Sequence, residues 1–492
     1  MRKTALPCRR QRGAIAIMFG LMVLGIMGVI GLALDLTLVY NRKAELQSLA
    51  DATALAAARA LTGEAAGVSA AATQANIIAS SNTYQYNNLP VAWSGAALRF
   101  SNAADTPDAA WVDAATAQAA PAGMLFAKVD TGALDADMGR VSTAFIRVIS
   151  SALASATTSA RAVAGRASVN VLPLAICAQS PTPAASRVNV AGNAAFNELV
   201  EYGFRRGVSY DLMQLNPGGT TPENFLIDPL APPGVTGSAA NMNAAVAGPF
   251  ICTGGMPMST VLGGQITVQR GFPIAALYNH LNSRMDIYNG NACTPEAAPP
   301  DTNVKSYAYT TLNWMLAAPG AQTAGPWTSG GTRLWTRADP LPGDATNTAA
   351  LYGPLWAHAR AVPYAAYAAM PVEPAAGYAP FAASSWTSLY TPGPPSANNY
   401  PSALPTSTPY LALSGANFQA PAAARQPGLA KRRVLNVALL SCPVAPGALV
   451  SATVLAVGKF FMTVPATNSG ISAEFAGTAA PSALAGAVEL QR

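Results

Sequence analysis

Charged side chains are scarce in this sequence. Asp, Glu, Lys and Arg make up 11% of its 492 residues, whereas an ordinary soluble domain has about 25%. Only two histidines occur, His280 and His358, and neither has cysteine or carboxylate neighbours at a spacing that indicates a zinc site. Walker loops, nucleophile elbows and His-Glu-x-x-His motifs are also absent. We therefore expect no catalytic centre, no metal site and no cofactor, and predict that the chain is not an enzyme.

Three short clusters of polar or soft side chains have simpler explanations than ligand binding. Segment 252–258 offers one cysteine and two methionines that could hold Cu(I), but a disulfide beside two packing methionines is favoured. Asp130, Asp135 and Asp137 do not follow EF-hand spacing and indicate a polar turn. The basic run 431–433 precedes a predicted strand. We interpret it as a solvated strand entrance, with lipid headgroups or an acidic partner as the alternative.

One long apolar run is present, from Gly13 to Leu34. Its 22 residues contain no charge and no proline, and as an α-helix they would span roughly 33 Å, enough to cross a bilayer core of about 30 Å. We interpret the run as a transmembrane helix. A cleaved secretory signal is the alternative, although the apolar region of such a signal is usually only about 7–15 residues long. Small residues at Gly31 and Ala33 could admit cleavage.

Basic residues precede the apolar run and set its orientation. The first twelve residues contain five cations and no acidic residue, and Arg9, Arg10 and Arg12 lie closest to the run. By the positive-inside rule this flank is cytoplasmic. We therefore predict a single-pass protein of the cytoplasmic (inner) membrane, with its body in the periplasm or outside. Of 29 Lys and Arg, 24 remain beyond this flank against 23 Asp and Glu, so the net charge does not indicate a nucleic-acid partner.

The five cysteines agree with this topology. Cys8 lies on the predicted cytoplasmic side, where thiols stay reduced. The other four lie on the opposite side, and four cysteines allow three pairings. We favour Cys252 with Cys293, which closes a loop-rich segment, and Cys177 with Cys442, which end the similar apolar runs PLAIC and ALLSC. Free buried thiols are the alternative.

Beyond the span, the pattern predicts an α+β fold. Leu46, Leu49, Thr53 and Ala56 recur at helical spacing, which is typical of a helical stalk. From residue 89, short runs with apolar alternation predict strands, and the C-terminal strands are expected to pair with the early ones. Residues 150–165 are expected to form a short helix or a loop. The predicted segments are a basic cytoplasmic tail (1–12), the transmembrane helix (13–34), the helical stalk (35–88), a β-rich extracytoplasmic domain (89–290), a loop-rich insertion (291–428) and C-terminal strands completing the domain (429–492).

The insertion 291–428 is rich in Pro, Ala, Gly, Tyr and Ser, a composition that does not support long helices. Its tryptophans argue against a solvated linker, because large aromatic side chains gain most from burial. We interpret the segment as an extended insertion whose aromatic side chains hold it against the body. Those tryptophans are Trp314, Trp327, Trp335, Trp356 and Trp386.

The first sixty residues carry a characteristic order of features. A basic cluster and Gly-Ala open the apolar span (RRQRGAIAIMFGLMVL), the sequence GLALDL ends it with Asp35, and VYNRKAELQSLADATALAAARAL follows. Seen whole, this order resembles the TadG-like proteins of the Flp (tight-adherence, Tad) pilus-assembly system. Residues 159–177 and 432–477 also resemble these proteins, and together the similar segments cover about a third of the chain.

Two departures from related proteins limit what the resemblance implies. Pilin-like relatives that prepilin peptidase processes carry a Glu five residues after the cleavage-site Gly, whereas Met18 stands at that distance from Gly13. The chain is therefore not expected to enter a pilus shaft. Longer TadG-like chains carry a von Willebrand A domain with an Asp-x-Ser-x-Ser metal motif. That motif does not occur here, so no metal-dependent adhesion site is expected.

These observations give a leading hypothesis and two alternatives. The leading one is a membrane-anchored, non-enzymatic envelope protein with a structural or assembly role in Flp/Tad-type pilus biogenesis and adherence. Its expected partners are the lipid bilayer, other pilus-assembly or envelope proteins and, through the stalk, a second copy of the chain. The second is an anchored module that binds glycan or peptide through the aromatic-rich insertion. The third, an anchored hydrolase, lacks a recognisable nucleophile and base.

Overall fold

A computed structural model describes residues 12–86, 88–121, 123–308, 329–330, 333–334, 352–390 and 408–491. Arg9 and Arg10 of the predicted cytoplasmic tail lie outside the described residues, and Arg12 is the first residue of the first helix. The chain divides into two compact units, residues 1–165 with 488–492, and residues 166–487. The boundaries of these two units do not coincide with those of the segments predicted from the sequence. The predicted segments therefore remain predictions.

The described helices differ greatly in length. One exceeds forty residues, whereas most of the others have fewer than eleven. The α-helices are α1 (Arg12–Ala60), α2 (Ala65–Ser81), α3 (Ala114–Ala119), α4 (Ile146–Ile149), α5 (Ala244–Thr253), α6 (Ile274–Asn282), α7 (Tyr364–Ala369) and α8 (Trp386–Leu389).

The described strands are short, apart from one of fourteen residues near the C-terminus. They are β1 (Thr83–Tyr84), β2 (Leu89–Pro90), β3 (Leu98–Ser101), β4 (Phe126–Asp130), β5 (Arg140–Ser142), β6 (Ser155–Thr157), β7 (Arg161–Arg166), β8 (Leu174–Cys177), β9 (Ala185–Val188), β10 (Asn197–Glu201), β11 (Phe204–Arg205), β12 (Ser209–Asp211), β13 (Asn224–Ile227), β14 (Gln265–Arg270), β15 (Ser329–Gly330), β16 (Arg333–Leu334), β17 (Val434–Leu440), β18 (Leu449–Met462), β19 (Ser472–Thr478) and β20 (Val488–Gln491). The predicted α+β class, with a long apolar N-terminal helix and a β-rich remainder, is confirmed.

Helix α1 has two parts with different surroundings. From Ile17 to Leu34 its large apolar side chains are exposed, and this part is long and apolar enough to cross a membrane. From Leu46 onwards one face of the same helix is buried in the first unit. The helix ends at Ala60, shortly before Gly63, whose φ of +81° is a left-handed conformation that favours glycine. One uninterrupted helix therefore supplies both the apolar span and the stalk.

The first unit packs helices α1 and α2 against a four-stranded sheet with the order β20-β7-β4-β3. Its core contains many small side chains, including Ala54 of α1 and Ala71 of α2, which are fully buried and let the two helices approach closely. Phe100 and Val129 supply larger apolar groups from the sheet. Strands β6 and β7 together occupy eight of the sixteen residues 150–165, so the prediction of a short helix or a loop is wrong for that half of the segment.

The second unit is built around a closed five-stranded β-barrel. Strands β18, β14, β13, β8 and β17 pair in that order, and β17 returns to pair with β18. Closure depends on the length of β18, because Leu449–Thr453 pairs with β14 while Val454–Phe461 pairs with β17. All of these pairs are antiparallel except β8 with β17. The C-terminal strands thus pair with strands from the first half of the unit.

The described parts of the predicted insertion pack on the second unit. Trp356 and Trp386 are buried and contact each other edge-to-face, with ring centroids 5.1 Å apart. Tyr390 joins them, and its hydroxyl accepts a hydrogen bond of 2.8 Å from the indole N–H of Trp356. These contacts agree with an insertion held by its aromatic side chains. Trp314, Trp327 and Trp335 lie outside the described residues.

The packing of the stalk predicts a difference between two neighbouring alanines. Ala54 is fully buried between helices and sheet, whereas Ala52 is exposed on the same helix. We expect Ala54→Leu to lower the free energy of unfolding by about 1–3 kcal/mol through overpacking, and Ala52→Leu to leave it nearly unchanged. Differential scanning calorimetry of the full chain in detergent measures both, and equal Tm values for the two variants would contradict the observed packing.

Candidate functional site

Asp35 is the first charged residue after the apolar part of α1, and it is buried. Its Oδ1 accepts the backbone N–H of Ala144 at 3.0 Å, and its Oδ2 accepts those of Phe145 at 2.9 Å and Ile146 at 2.6 Å. These donors lie at the start of the short helix α4, where N–H groups have no intrahelical acceptor. Asp35 therefore fastens the end of the apolar segment to a loop more than 100 residues away in sequence.

Two further charged residues of α1 hold loops of the first unit. Arg42 donates from Nη1 to the carbonyl oxygen of Met138 at 2.7 Å, and its guanidinium lies 5.0 Å from the ring centre of Tyr84. Glu45 pairs with Arg42 at 3.2 Å and accepts the backbone N–H groups of residues 85 and 86 at 3.1 and 3.0 Å. Each charged group thus meets a complementary partner within this unit.

We call Asp35, Arg42, Glu45 and Gln47 the polar collar. Gln47 completes it, because its Nε2 donates to the carbonyl oxygen of Arg161 at 3.0 Å. All four residues lie in the segment whose order of features characterises the start of the chain, and all four bond to backbone groups of the same unit. The arrangement therefore suits mechanical attachment of this unit to α1.

The carboxylates of segment 130–137 form turns, as predicted. Asp130 pairs with Arg161 at 2.6 Å, and Asp135 accepts the backbone N–H of Asp137 at 2.9 Å. Asp137 itself faces Arg140 at 3.6 Å. These contacts satisfy turn N–H groups and neighbouring arginines, so the three carboxylates do not converge on a shared ligand position.

His358 packs among aromatic side chains. Its ring stacks on that of Phe461 with centroids 4.7 Å apart and meets the ring of Tyr410 edge-on. Burial, with help from the nearby Arg433, lowers the pKa of His358 to about 4, so the ring is neutral at pH 7. Burial also lowers the pKa of His280. Within the described residues, neither histidine belongs to a group of metal-ligating side chains.

The four predicted disulfide candidates form two bonds. Cys177 is joined to Cys442 and Cys252 to Cys293, the two pairs that the sequence favours. In the described residues, the group of three potential metal ligands that lie close together is Cys177, Cys442 and Glu223. Both of its sulfur atoms belong to the disulfide, so they are not thiolate ligands. The methionines of segment 252–258 are buried in the core, as expected for packing residues.

In the basic run at residues 431–433, Lys431 is exposed but Arg432 and Arg433 are not, so the prediction of a solvated strand entrance is wrong for these two arginines. Arg433 is fully buried and donates to four backbone carbonyl oxygens, those of residues 303, 305, 462 and 463. Arg432 donates to the carbonyl oxygens of residues 252, 253 and 299. Both guanidiniums satisfy backbone carbonyl groups, and those of Cys252 and Thr253 lie in the last turn of α5, where carbonyl groups have no intrahelical donor.

The sequence did not reveal the buried ionisable side chains of the second unit. Arg205 and Glu198 form a 2.7 Å ion pair with both side chains fully buried. Glu474 accepts the backbone N–H groups of residues 357–359 at 2.5 to 2.9 Å, and burial raises its pKa to about 8. Paired acidic and basic residues on either side of a turn, as in ELVEYGFRR, were the available signal for the ion pair.

Comparison with known proteins supports the resemblance at the start of the chain. Residues 13–60 match the family model described as "Putative Flp pilus-assembly TadE/G-like". The chain thus carries a TadE/G-like segment that comprises nearly all of α1 and contains the whole polar collar. No curated protein and no solved structure matches the chain.

The two disulfides predict the number of reactive thiols. In denaturant without reductant, we expect a maleimide to label one thiol per chain, that of Cys8, and five after reduction, since the other four cysteines are paired. Peptide mapping without reductant should recover the pairs Cys177–Cys442 and Cys252–Cys293. Labelling of further thiols before reduction would contradict the pairing.

The environment of His358 predicts a dependence of stability on pH. Its folded pKa of about 4 lies below the ordinary 6.5, so its contribution is complete above pH 6.5 and is lost as the pH falls towards 4. The loss is about 3 kcal/mol in the free energy of unfolding. His358→Phe keeps the stacked ring and should show a smaller loss than the unmodified chain in urea titrations at pH 7 and pH 4.5. Identical losses would contradict this assignment.

Proposed function

We propose that this chain is a membrane-anchored, non-enzymatic envelope protein with a structural or assembly role in Flp/Tad-type pilus biogenesis and adherence. Support comes from the TadE/G-like match over residues 13–60 and from the apolar helix in the same segment. The described titratable groups discussed above are engaged in turns, ion pairs or packing, which favours a structural role over catalysis.

The observation that carries the proposal is the continuity of α1. Its exposed apolar part suits lipid contact, because side chains such as Leu24 and Val29 have no protein neighbours to cover them. The following turns carry the polar collar and then the buried face of the stalk. A body attached in this way is held at a fixed place beside the membrane. Assembly partners of the pilus system would meet it there.

Two observations favour a cytoplasmic N-terminus and a body in the periplasm or outside. The basic residues before Gly13 form the more positive flank of the span. The body contains two disulfides, and such bonds persist in oxidising compartments. Met18 replaces the Glu of processed pilins, so the proposed span remains a tether of the inner membrane. The stalk is also a candidate surface for self-association, since Tyr40 and Ile77 are exposed on its helices.

The alternative of a binding module in the insertion has less support. Trp356 and Trp386 are buried against the second unit, whereas stacking on a glycan or peptide needs exposed rings. The structural role is therefore the favoured function.

Deletion and complementation in the encoding organism test the proposal. Deletion should abolish pilus assembly or attachment, and the full chain should restore it. A chain with an unrelated apolar span in place of residues 13–34 should restore it too, because the segment acts as a tether. Replacement of those residues by a cleavable secretion signal should not.

The same strains test the topology. Protease added to spheroplasts should degrade the body and leave an N-terminal cytoplasmic tag intact. Normal assembly in the deletion strain, or a body that is protected from protease until lysis, would overturn the proposed function.

A further inference from the structure

An exposed apolar loop lies beside the end of the apolar span. Strands β5 and β6 form a hairpin, and we call its connection, residues 143–154, the hairpin loop. Three large apolar side chains of this loop are solvent-exposed, with exposed fractions of 48% for Phe145, 84% for Val148 and 54% for Leu153. Such a group of exposed apolar side chains in a single loop indicates a surface that contacts another apolar phase.

Contacts with α1 fix the position of the loop along the helix. Asp35 accepts the backbone N–H groups of residues 144–146, which attaches the start of the loop to the first turn after the span. Phe145 packs on Gly31, because a Cβ atom at Gly31 would lie only 2.6 Å from the Cβ of Phe145. Gly31 precedes Leu34, the end of the span, by about one helical turn. Phe145 therefore lies level with the last turn of the span.

The surroundings identify the phase that the loop meets. Leu32 and Leu34 are exposed on the same turns of α1, so their apolar surface continues into that of the loop. Arg147 is exposed within the loop, between the apolar positions. Amphipathic segments that bind the boundary between acyl chains and headgroups have this composition, with exposed aliphatic and aromatic side chains beside a cation.

We propose that the hairpin loop inserts into the bilayer leaflet at the C-terminal end of the span and forms a second, interfacial membrane contact. Phe145, Val148 and Leu153 enter the acyl-chain boundary, and Arg147 binds headgroup phosphates. The proposal rests on the membrane-anchored function proposed above, and adds to it a membrane contact outside α1. With a helix and a loop both in the membrane, the first unit has a fixed distance from the membrane surface and cannot rotate freely about the axis of α1.

Fluorescent probes in the full-length chain test this contact. Cys8→Ser removes the unpaired thiol, and Val148→Cys then accepts a nitrobenzoxadiazole label after reconstitution into phosphatidylcholine–phosphatidylglycerol vesicles. Leu24→Cys reports the span, and Ala66→Cys is the matched exposed control. The control lies far from the apolar span. Helix α1 extends for about 39 Å beyond Leu34, and Ala66 comes after its C-terminal end. Doxyl-labelled lipids should quench the Val148→Cys probe about threefold more strongly than the control.

The outcomes separate this inference from the proposed function. Lipid quenching at Leu24→Cys but not at Val148→Cys would overturn the loop contact and leave the anchor intact. Absence of lipid quenching at both positions would overturn both. A Val148→Cys probe shielded from lipid quenchers and from aqueous iodide would show that protein covers the loop, which also overturns the proposal. Leu153→Cys serves as a second probe in the same loop and should behave as Val148→Cys does.

Discussion

The structure of the first unit depends on the hydrogen bonds that the carboxylate of Asp35 accepts at the end of the apolar part of α1. A charged side chain beside hydrocarbon is costly unless its oxygens receive hydrogen bonds. Asp35 obtains three, all from backbone N–H groups that a short helix leaves without acceptors. The body of this unit is thereby held within one turn of the span. Arg42 and Glu45 repeat the arrangement further along, so the helix is attached to the unit through polar contacts before its apolar face is buried.

Local patterns in the sequence were enough for the long helix and for much of the strand content. The span and the stalk follow from uninterrupted apolar and small residues, and several strands from alternation. The partners of Asp35 could not be predicted, because they lie more than 100 residues away and are backbone groups with no sequence signature. Strand β7 was missed for a different reason. Its sequence RAVAGR is rich in alanine and glycine, which carry little strand propensity, and pairing with β4 and β20 makes it a strand.

The second unit buries several ionisable side chains. Ionisable side chains usually stay in water, yet Arg205, Glu198, Arg433 and Glu474 are fully buried. Arg433 and Glu474 each bond mainly to backbone, at places where the insertion meets strands β18 and β19. Irregular segments expose many backbone groups that no neighbouring strand can pair. The side chains of Arg433 and Glu474 replace those missing partners, and composition alone does not show which side chains will do so.

The uninterrupted course of α1 has a mechanical consequence. A helix of 49 residues is roughly 73 Å long, and it has no proline at which to bend. One part of α1 packs into the first unit and the other carries the apolar span. The two parts therefore move together as one rigid helix. In the membrane-anchored state proposed above, a pull on the first unit would reach the lipid as a tilt of α1, and a change in bilayer thickness would reorient the first unit.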